Sequence, residues 1–308
     1  MPSPTESAVG MFSAWEFQCV GIAYFIFGAA GVLANAFTVV TFMRETPISS
    51  PRHILQLNMA VANLLVCAPF PFSGLSSFRG KWLFGDLGCQ LYGTESFLGG
   101  MAATTFIPVV CVEHYLASCK KDFYDTLSSG TWWTVAMLCW MYAALWAILP
   151  LFGWNSYAIE SSGVACGINW LKKDSNHMTY LQAMVITASI LYVMAFYGLY
   201  QSRVHWDSVQ VKSDPKSDAN NWFTERQQAW ICLAFMCIMF IGFGPYAILG
   251  LWAALTDSTT VSTLAIIIPS LACKASTSLY PIPYLVASDK FRAAYLGYRV
   301  TEHEAKTN

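Results

Sequence analysis

At 308 residues, with 56% hydrophobic and only 11% charged side chains, the chain departs from the roughly 45–50% apolar and about 25% charged composition of soluble domains. It is therefore expected to be an integral membrane protein. A net charge of −1 leaves no basic stripe to neutralise phosphates, which excludes nucleic acid as a partner. The ten cysteines are mostly scattered through apolar stretches without C-x-x-C spacing, so neither a metal site nor thioredoxin-type chemistry is expected.

The first sixteen residues carry no basic n-region and no short apolar core, and no cleaved signal peptide is expected. Runs poor enough in charge and long enough to span a bilayer then follow at 17–43, 54–78, 87–118, 131–151, 178–202, 227–256 and 258–288. The chain thus reads as an all-α, seven-transmembrane-helix bundle over 17–288, between an extracellular or lumenal N-terminus, 1–16, and a short cytoplasmic amphipathic helix and tail, 289–308. The orientation follows from the basic residues. Twelve lysines and arginines fall in the connections after the first, third and fifth runs and in the tail, against four on the opposite side. Kinks are expected at Pro69 with Pro71, at Pro108, Pro150 and Pro245, and at Pro281 with Pro283. The polar stretch 203–226 reads as a cytoplasmic loop. The segment after Ser288, with Phe291, Tyr295, Leu296 and Tyr298 as its apolar residues, is expected to lie in the membrane interface.

One cation interrupts the seventh run near its centre, Lys274. A charge at that depth costs about 2.5–3.5 kcal/mol on insertion scales. About four turns of helix on either side put the headgroups beyond the reach of its stem. The residue is therefore a functional-site candidate, either as an ion-pair partner or as a covalent amine. Two cysteines also stand apart, Cys89 at the outer start of the third run and Cys166 in the long outer connection 153–177. Both lie on the oxidising side, where they form either a disulfide or two buried thiols. A bridge would hold a lid carrying Glu160, Asn169, Trp170 and Asp174 over the outer mouth of the bundle.

Motifs along almost the whole chain resemble those of the opsins, the rhodopsin-like seven-helix receptors. They are Gly31-Val32-Leu33-Ala34-Asn35, Asn58-Met59-Ala60-Val61-Ala62, Trp82-x-Phe84-Gly85-x-x-Gly88-Cys89, Trp140, Pro150-x-x-Gly153-Trp154-x-x-Tyr157, Cys166-Gly167-Ile168-Asn169-Trp170, Gly244-Pro245-Tyr246, and Lys274 followed by Pro281-x-x-Tyr284. The resemblance implies retinal as cofactor, all-trans in the dark and held as a Schiff base on Lys274. A protonated Schiff base is a buried cation and needs an anion nearby. Vertebrate visual opsins place that anion three residues after the cysteine of the third helix, where this chain has Tyr92. The ancestral alternative, six residues before the loop cysteine, is Glu160 here. Glu95, one turn below Tyr92, competes for the role. Tyr92, Phe243, Tyr246 and Trp252 are candidates to line a polyene slot, or else ordinary helix packing.

The departures from the family pattern bear on signalling. Glu113-His114-Tyr115 stands where G-protein-coupled opsins carry acidic-Arg-Tyr, and histidine lacks the planar guanidinium fork. Tyr280 precedes Pro281 in place of asparagine, Asn63 replaces an aspartate, and Phe243 replaces a tryptophan. The tail offers only Thr301 and Thr307 as phosphoacceptors, and no N-glycosylation sequon is present, so an intracellular membrane is expected and coupling to a G protein is not. The combination is most similar to the retinochrome, peropsin and retinal G-protein-coupled receptor group. It implies a light-driven photoisomerase that converts all-trans retinal to the 11-cis form and passes it to another opsin, with a retinoid-binding shuttle protein as a partner. A signalling photoreceptor is the second reading. A receptor for a diffusible ligand, in which Lys274 pairs with Glu95, is the third.

Overall fold

The computed structural model describes residues 13–45, 50–208, 222–256 and 263–297. The expected N-terminal tail, apart from its last residues, most of the polar stretch after residue 208, Tyr298 and the tail with Thr301 and Thr307 lie outside the described residues. Helix α1, Ala14–Glu45, begins three residues before the first apolar run. Ser13 and Glu16 explain the early start, because the Ser13 amide donates to the Glu16 carboxylate (2.7 Å) and the Glu16 amide to Ser13 Oγ (3.3 Å), a reciprocal cap.

The second run is divided into α2, Pro51–Cys67, and α3, Phe70–Phe78. The break falls at Pro69 as expected, since proline removes a donor from the helical ladder. Helix α4, Gly85–Cys119, continues through Pro108 without a break. A one-turn helix α5, Lys121–Tyr124, leads to α6, Ser129–Ile148, which tightens into a 3-10 turn over Leu149–Phe152 around Pro150. A two-stranded antiparallel hairpin follows, β1 Tyr157–Ile159 and β2 Cys166–Ile168, with Tyr157 opposite Ile168 and Ile159 opposite Cys166. Then come α7, Ser175–Ser208, and α8, Glu225–Leu255, which carries Pro245 within its length.

The seventh span is not one continuous helix. Helix α9, Thr263–Ser276, gives way to a 3-10 turn at Thr277–Leu279 and then to α10, Pro281–Ala287. Lys274 therefore lies two residues from a helix end rather than several turns from one. Three hydroxyls drive the break: Ser276 Oγ donates to Cys273 O (2.7 Å), Thr277 Oγ1 to Lys274 O (2.6 Å) and Ser278 Oγ to Ala275 O (2.7 Å). Such bonds compete with the backbone for its own carbonyls. Pro281 has no N–H for the Thr277 carbonyl, and Asn35 of α1 fills that place, its Nδ2 donating at 3.1 Å. Among the described residues six helical stretches are long and apolar enough to cross a membrane, with mean hydropathy of 1.5–2.2. The interrupted α9–α10 stack makes the seventh.

Helix α4 forms the axis of the bundle, packing against α2, α6, α7, α8 and both strands. Gly99 permits the close approach to α2, because a Cβ there would lie 2.8 Å from the Ala62 carbonyl. The main core gathers Met59, Phe106, Trp146, Tyr180, Phe235 and Tyr284 from six helices. Trp140 Nε1 donates to Asn58 Oδ1 (2.9 Å) and ties α6 to α2. Outward faces are apolar, as at Ile186, Ile190, Val193 and Tyr197 of α7, which suits contact with acyl chains rather than water. The last helix, α11, Asp289–Leu296, is capped by Ser288. Its Phe291 is fully buried against Tyr284 and Trp222, so this residue plugs the end of the bundle instead of lying in the interface; Leu296 faces outward.

Candidate functional site

A disulfide joins Cys89 at the start of α4 to Cys166 in β2. Of the two alternatives open for these cysteines, the bridge is the one formed. It draws the hairpin down into the mouth of the bundle, where Val164, Ala165 and Cys166 are almost wholly buried. Gln90 Nε2 donates to Tyr157 O (3.3 Å), and Tyr157 Oη donates to Ala147 O (2.8 Å), fixing β1 between α4 and α6. The turn between the strands is closed by Glu160 N donating to Ala165 O (2.9 Å) and Gly163 N donating to Glu160 O (2.8 Å).

That turn carries the Glu160 side chain inward. Its Oε1 lies 3.3 Å from Lys274 Nζ, and its Oε2 accepts a hydrogen bond from Ser270 Oγ at 2.9 Å. Both side chains of the pair are about nine-tenths buried, at 11% and 10% exposure. A buried ion pair is tolerated only with good geometry and further hydrogen bonds to its remaining lone pairs. Ser270, one helical turn before Lys274, provides one. Gly167 makes room for the carboxylate: a Cβ at that position would stand 2.9 Å from Glu160 Oε1.

Two aromatic rings flank the amine. Lys274 Nζ lies 5.5 Å from the centroid of Tyr92 and 5.9 Å from that of Tyr24, within the range of cation–π attraction. Beyond the amine extends a cavity of about 370 Å³, walled by Phe97, Met101, Met184, Tyr192, Phe240 and Phe243, with Glu160 and Lys274 also in its lining. Its volume is that of a small-molecule site, and its wall is overwhelmingly apolar.

Of the residues singled out from the sequence, Lys274, Glu160, Phe243 and Tyr246 all line this cavity. Tyr246 accepts a hydrogen bond from Trp170 Nε1 at 3.2 Å. Tyr92 stands beside the amine outside the cavity lining, its hydroxyl accepting from Ser73 Oγ at 2.7 Å. Glu95 is brought neither to the amine nor to the cavity; it is half-buried on α4. Residues 92 and 99 face α2 and α3, and residues 93, 96, 97 and 100 face the cavity. Glu95 falls beyond the side turned to α2 and α3, away from the cavity-facing residues, because successive helical positions turn by about 100°. Trp252, 40% exposed near the end of α8, does not line the slot. Sequence reasoning missed Ser270, although its i, i+4 spacing from Lys274 puts both on one helix face. It also missed Tyr24, which no local signal marks.

The opposite end of the bundle is closed by a second charged cluster. Arg52 of α2 pairs with Glu113 of α4 (Nε–Oε1 3.2 Å) and with Glu225 at the start of α8 (2.5 Å). His114 Nδ1 lies 3.4 Å from Glu225 Oε2, which also accepts from Ser118 Oγ at 2.9 Å. Tyr124 of α5 donates to Glu113 Oε1 at 2.5 Å. Burial, with the Glu113 carboxylate beside it, holds the Tyr124 phenol far above its ordinary pKa, so the proton stays on the donor. The guanidinium at this end therefore comes from α2, not from the position after Glu113.

This architecture, seven helices closing on a buried amine beneath a disulfide-held hairpin, is that of a seven-helix membrane receptor. Residues 34–284 match the 7 transmembrane receptor (rhodopsin family) pattern, and the chain belongs to that family. It is 28% identical over 288 residues to the visual pigment-like receptor peropsin of Homo sapiens, covering 93% of this chain and 86% of that one. It is 25% identical over 282 residues to retinochrome of Todarodes pacificus, covering 91% and 93%. It is 26% identical over 282 residues to the RPE-retinal G protein-coupled receptor of Bos taurus, covering 90% and 89%. The crystal structure of squid rhodopsin shares the fold, with a TM-score of 0.85 at 20% identity over 100% of this chain and 96% of that one.

Proposed function

We propose that the chain is a retinal-binding opsin in which Lys274 holds the aldehyde covalently and Glu160 is the counter-anion. Its proposed role is that of a light-driven isomerase, converting all-trans retinal to the 11-cis form for use by another opsin. One observation carries the reading: a buried amine, 3.3 Å from a carboxylate, opens onto an apolar cavity of about 370 Å³. Bound retinal supplies the light absorption and the double bond that turns. An apolar polyene suits a slot walled by Phe97, Met101, Met184 and Phe243, and its aldehyde end suits the amine. Lys274, when deprotonated, is the nucleophile. Glu160 balances the positive charge on the lysine nitrogen, and Ser270 fixes the carboxylate's orientation. The hairpin over the mouth limits water, which strengthens the interactions beneath it.

The names of the relatives support retinal as the ligand. Isomerase action over signalling is supported by the cluster at the other end, where Arg52, His114 and Ser118 all engage Glu225 and so tether the start of α8 to α2 and α4. A signalling receptor is the second reading, favoured by the similarity to a receptor of the peropsin type. The distribution of lysine and arginine supports an N-terminus outside or in a lumen, and a retinoid-binding shuttle protein is the proposed recipient of the product. Purified protein loaded with all-trans retinal is expected to yield 11-cis retinal on illumination, read by chromatography of extracted isomers, and to release it over repeated cycles. Lys274→Ala is expected to lose both the visible band and borohydride-trapped retinal. Robust light-dependent GTP-analogue uptake by a G protein without 11-cis product would replace the isomerase with the receptor.

A further inference from the structure

The two rings beside Lys274 are not equivalent. Tyr92 has its hydroxyl occupied by Ser73 (2.7 Å). Tyr24, on α1, is fully buried; its hydroxyl makes no close hydrogen bond among the described residues, and the Lys274 amine is the side chain toward which it acts as a partner. Its ring is held in an apolar cluster with Val20, Val66, Phe70, Val164 and Ile267, which brings together α1, the second span, the hairpin tip and α9. An edge-on contact with Phe70 at 5.8 Å fixes the ring plane. From there the phenol is in electrostatic reach of the Lys274 amine and the Glu160 carboxylate. An apolar cluster of this kind would accept phenylalanine as readily as tyrosine, yet it holds a phenol, and a buried hydroxyl without a partner is costly.

We propose that Tyr24 is a positioning residue for the Lys274 amine: it partners the unlinked amine, loses that partner when the carbon–nitrogen link forms, and so favours release of the aldehyde. The inference rests on Lys274 being the attachment site. Its basis is a count of donors. A lysine ammonium has three N–H donors, of which Glu160 takes one in the structure. Condensation with an aldehyde joins nitrogen to the carbonyl carbon, and the carbonyl oxygen leaves as water with two of the nitrogen's hydrogens. The protonated product keeps one N–H, which the negative charge of Glu160 retains. Tyr24 is then left with its oxygen facing a nitrogen that has no donor to spare. Hydrolysis reverses each of these changes: one water returns, two hydrogens go back to nitrogen, and the phenol regains its partner. An enzyme that must discharge its product gains from such a bias, whereas a pigment that must retain its ligand does not.

The test compares the chain with Tyr24→Phe, which keeps the ring and removes the hydroxyl. Unloaded protein is titrated with all-trans retinal in the dark, and the linked fraction at each concentration is trapped with borohydride and read by mass spectrometry of the Lys274 peptide. The half-loading concentration is expected to fall by roughly five- to a hundredfold, the range carried by one unsatisfied buried polar group. Transfer of retinal in the dark to an excess of lipid vesicles is expected to slow by a similar factor. The melting temperature of the unloaded protein, a readout independent of retinal, is expected to stay level or fall, because the unlinked amine loses a partner. Equal half-loading in the two proteins, or weaker loading by the variant, would overturn the role of Tyr24 and leave Lys274 as the attachment site. No trapped retinal on Lys274 in either protein would overturn the attachment itself. Should Tyr24→Phe not accumulate, Tyr24→Met fills the same cluster without a hydroxyl and gives the same comparison.

Discussion

Exchanging Glu160 for glutamine keeps the shape of the side chain and removes its charge. In the structure the carboxylate lies 3.3 Å from Lys274 Nζ and accepts from Ser270 at 2.9 Å. Glutamine retains an oxygen for Ser270 but leaves the lysine nitrogen without an anion. Breaking one partner out of a buried pair costs about 3–5 kcal/mol, and about 1.4 kcal/mol corresponds to one pH unit in a protonation equilibrium. The cationic form of the retinal-loaded nitrogen is the one that loses support. The pH at which the visible band collapses is therefore expected to fall by about two to four units. A spectrophotometric titration of loaded wild type, Glu160→Gln and Glu95→Gln measures it. Glu95 does not reach the amine, so its variant is expected to stay within about half a unit of wild type. A larger shift for Glu95→Gln than for Glu160→Gln would refute the reasoning, and equal shifts would mean that the two carboxylates titrate as a coupled pair.

The disulfide closes a loop of 77 residues, for which the chain-entropy relation gives about 4.5 kcal/mol; Cys166→Ser is expected to lower the thermal midpoint and to loosen retinal retention, and an unchanged midpoint would show that the hairpin is held by packing alone. Outside the membrane, Asp174 accepts from the His177 amide at 3.0 Å and from its ring at 2.8 Å, and the His177 backbone bond holds its carboxyl below the ordinary value of 3.8. A lowered folded-state value contributes stability above the unfolded pKa that is lost as pH falls through the folded one. The melting-temperature advantage of wild type over Asp174→Asn is thus expected near neutrality and absent at strongly acidic pH, and an advantage that persists there would rule out this cap.

Much of the site was legible because its signals are costly ones. A lysine in an apolar run cannot be incidental, Cys89 and Cys166 stood apart by their place on the oxidising side, and Glu160 was found as a counter-anion through a resemblance that spans the chain. What the sequence could not convey was direction. Glu95 and Glu160 are both carboxylates within reach on paper, and only the hairpin's turn and the rotation of α4 separate them. Trp252 was left open between the slot and ordinary packing for the same reason, since an aromatic on a membrane helix packs inward or outward with equal ease. The break after Ser276 was partly readable from Pro281, but the three hydroxyls and Asn35 that complete it act across helices. Arg52 escaped notice because its partners, Glu113 and Glu225, lie 61 and 173 residues away.

That break sets how the segment carrying Lys274 can move. Lys274 belongs to a helical segment that stops two residues later, and the Thr277 carbonyl is handed to Asn35 rather than to the segment beyond. The seventh span thus behaves as two short rods meeting at a joint, with α1 as the bearing. A displacement at the amine is expected to be delivered first to α1, and the far rod, held by the contact of Tyr284 with Phe291, to be spared most of it. On the proposed isomerase reading, a chain built this way is expected to absorb a change of ligand shape close to where it occurs, with its other end kept shut as the cavity is emptied and refilled.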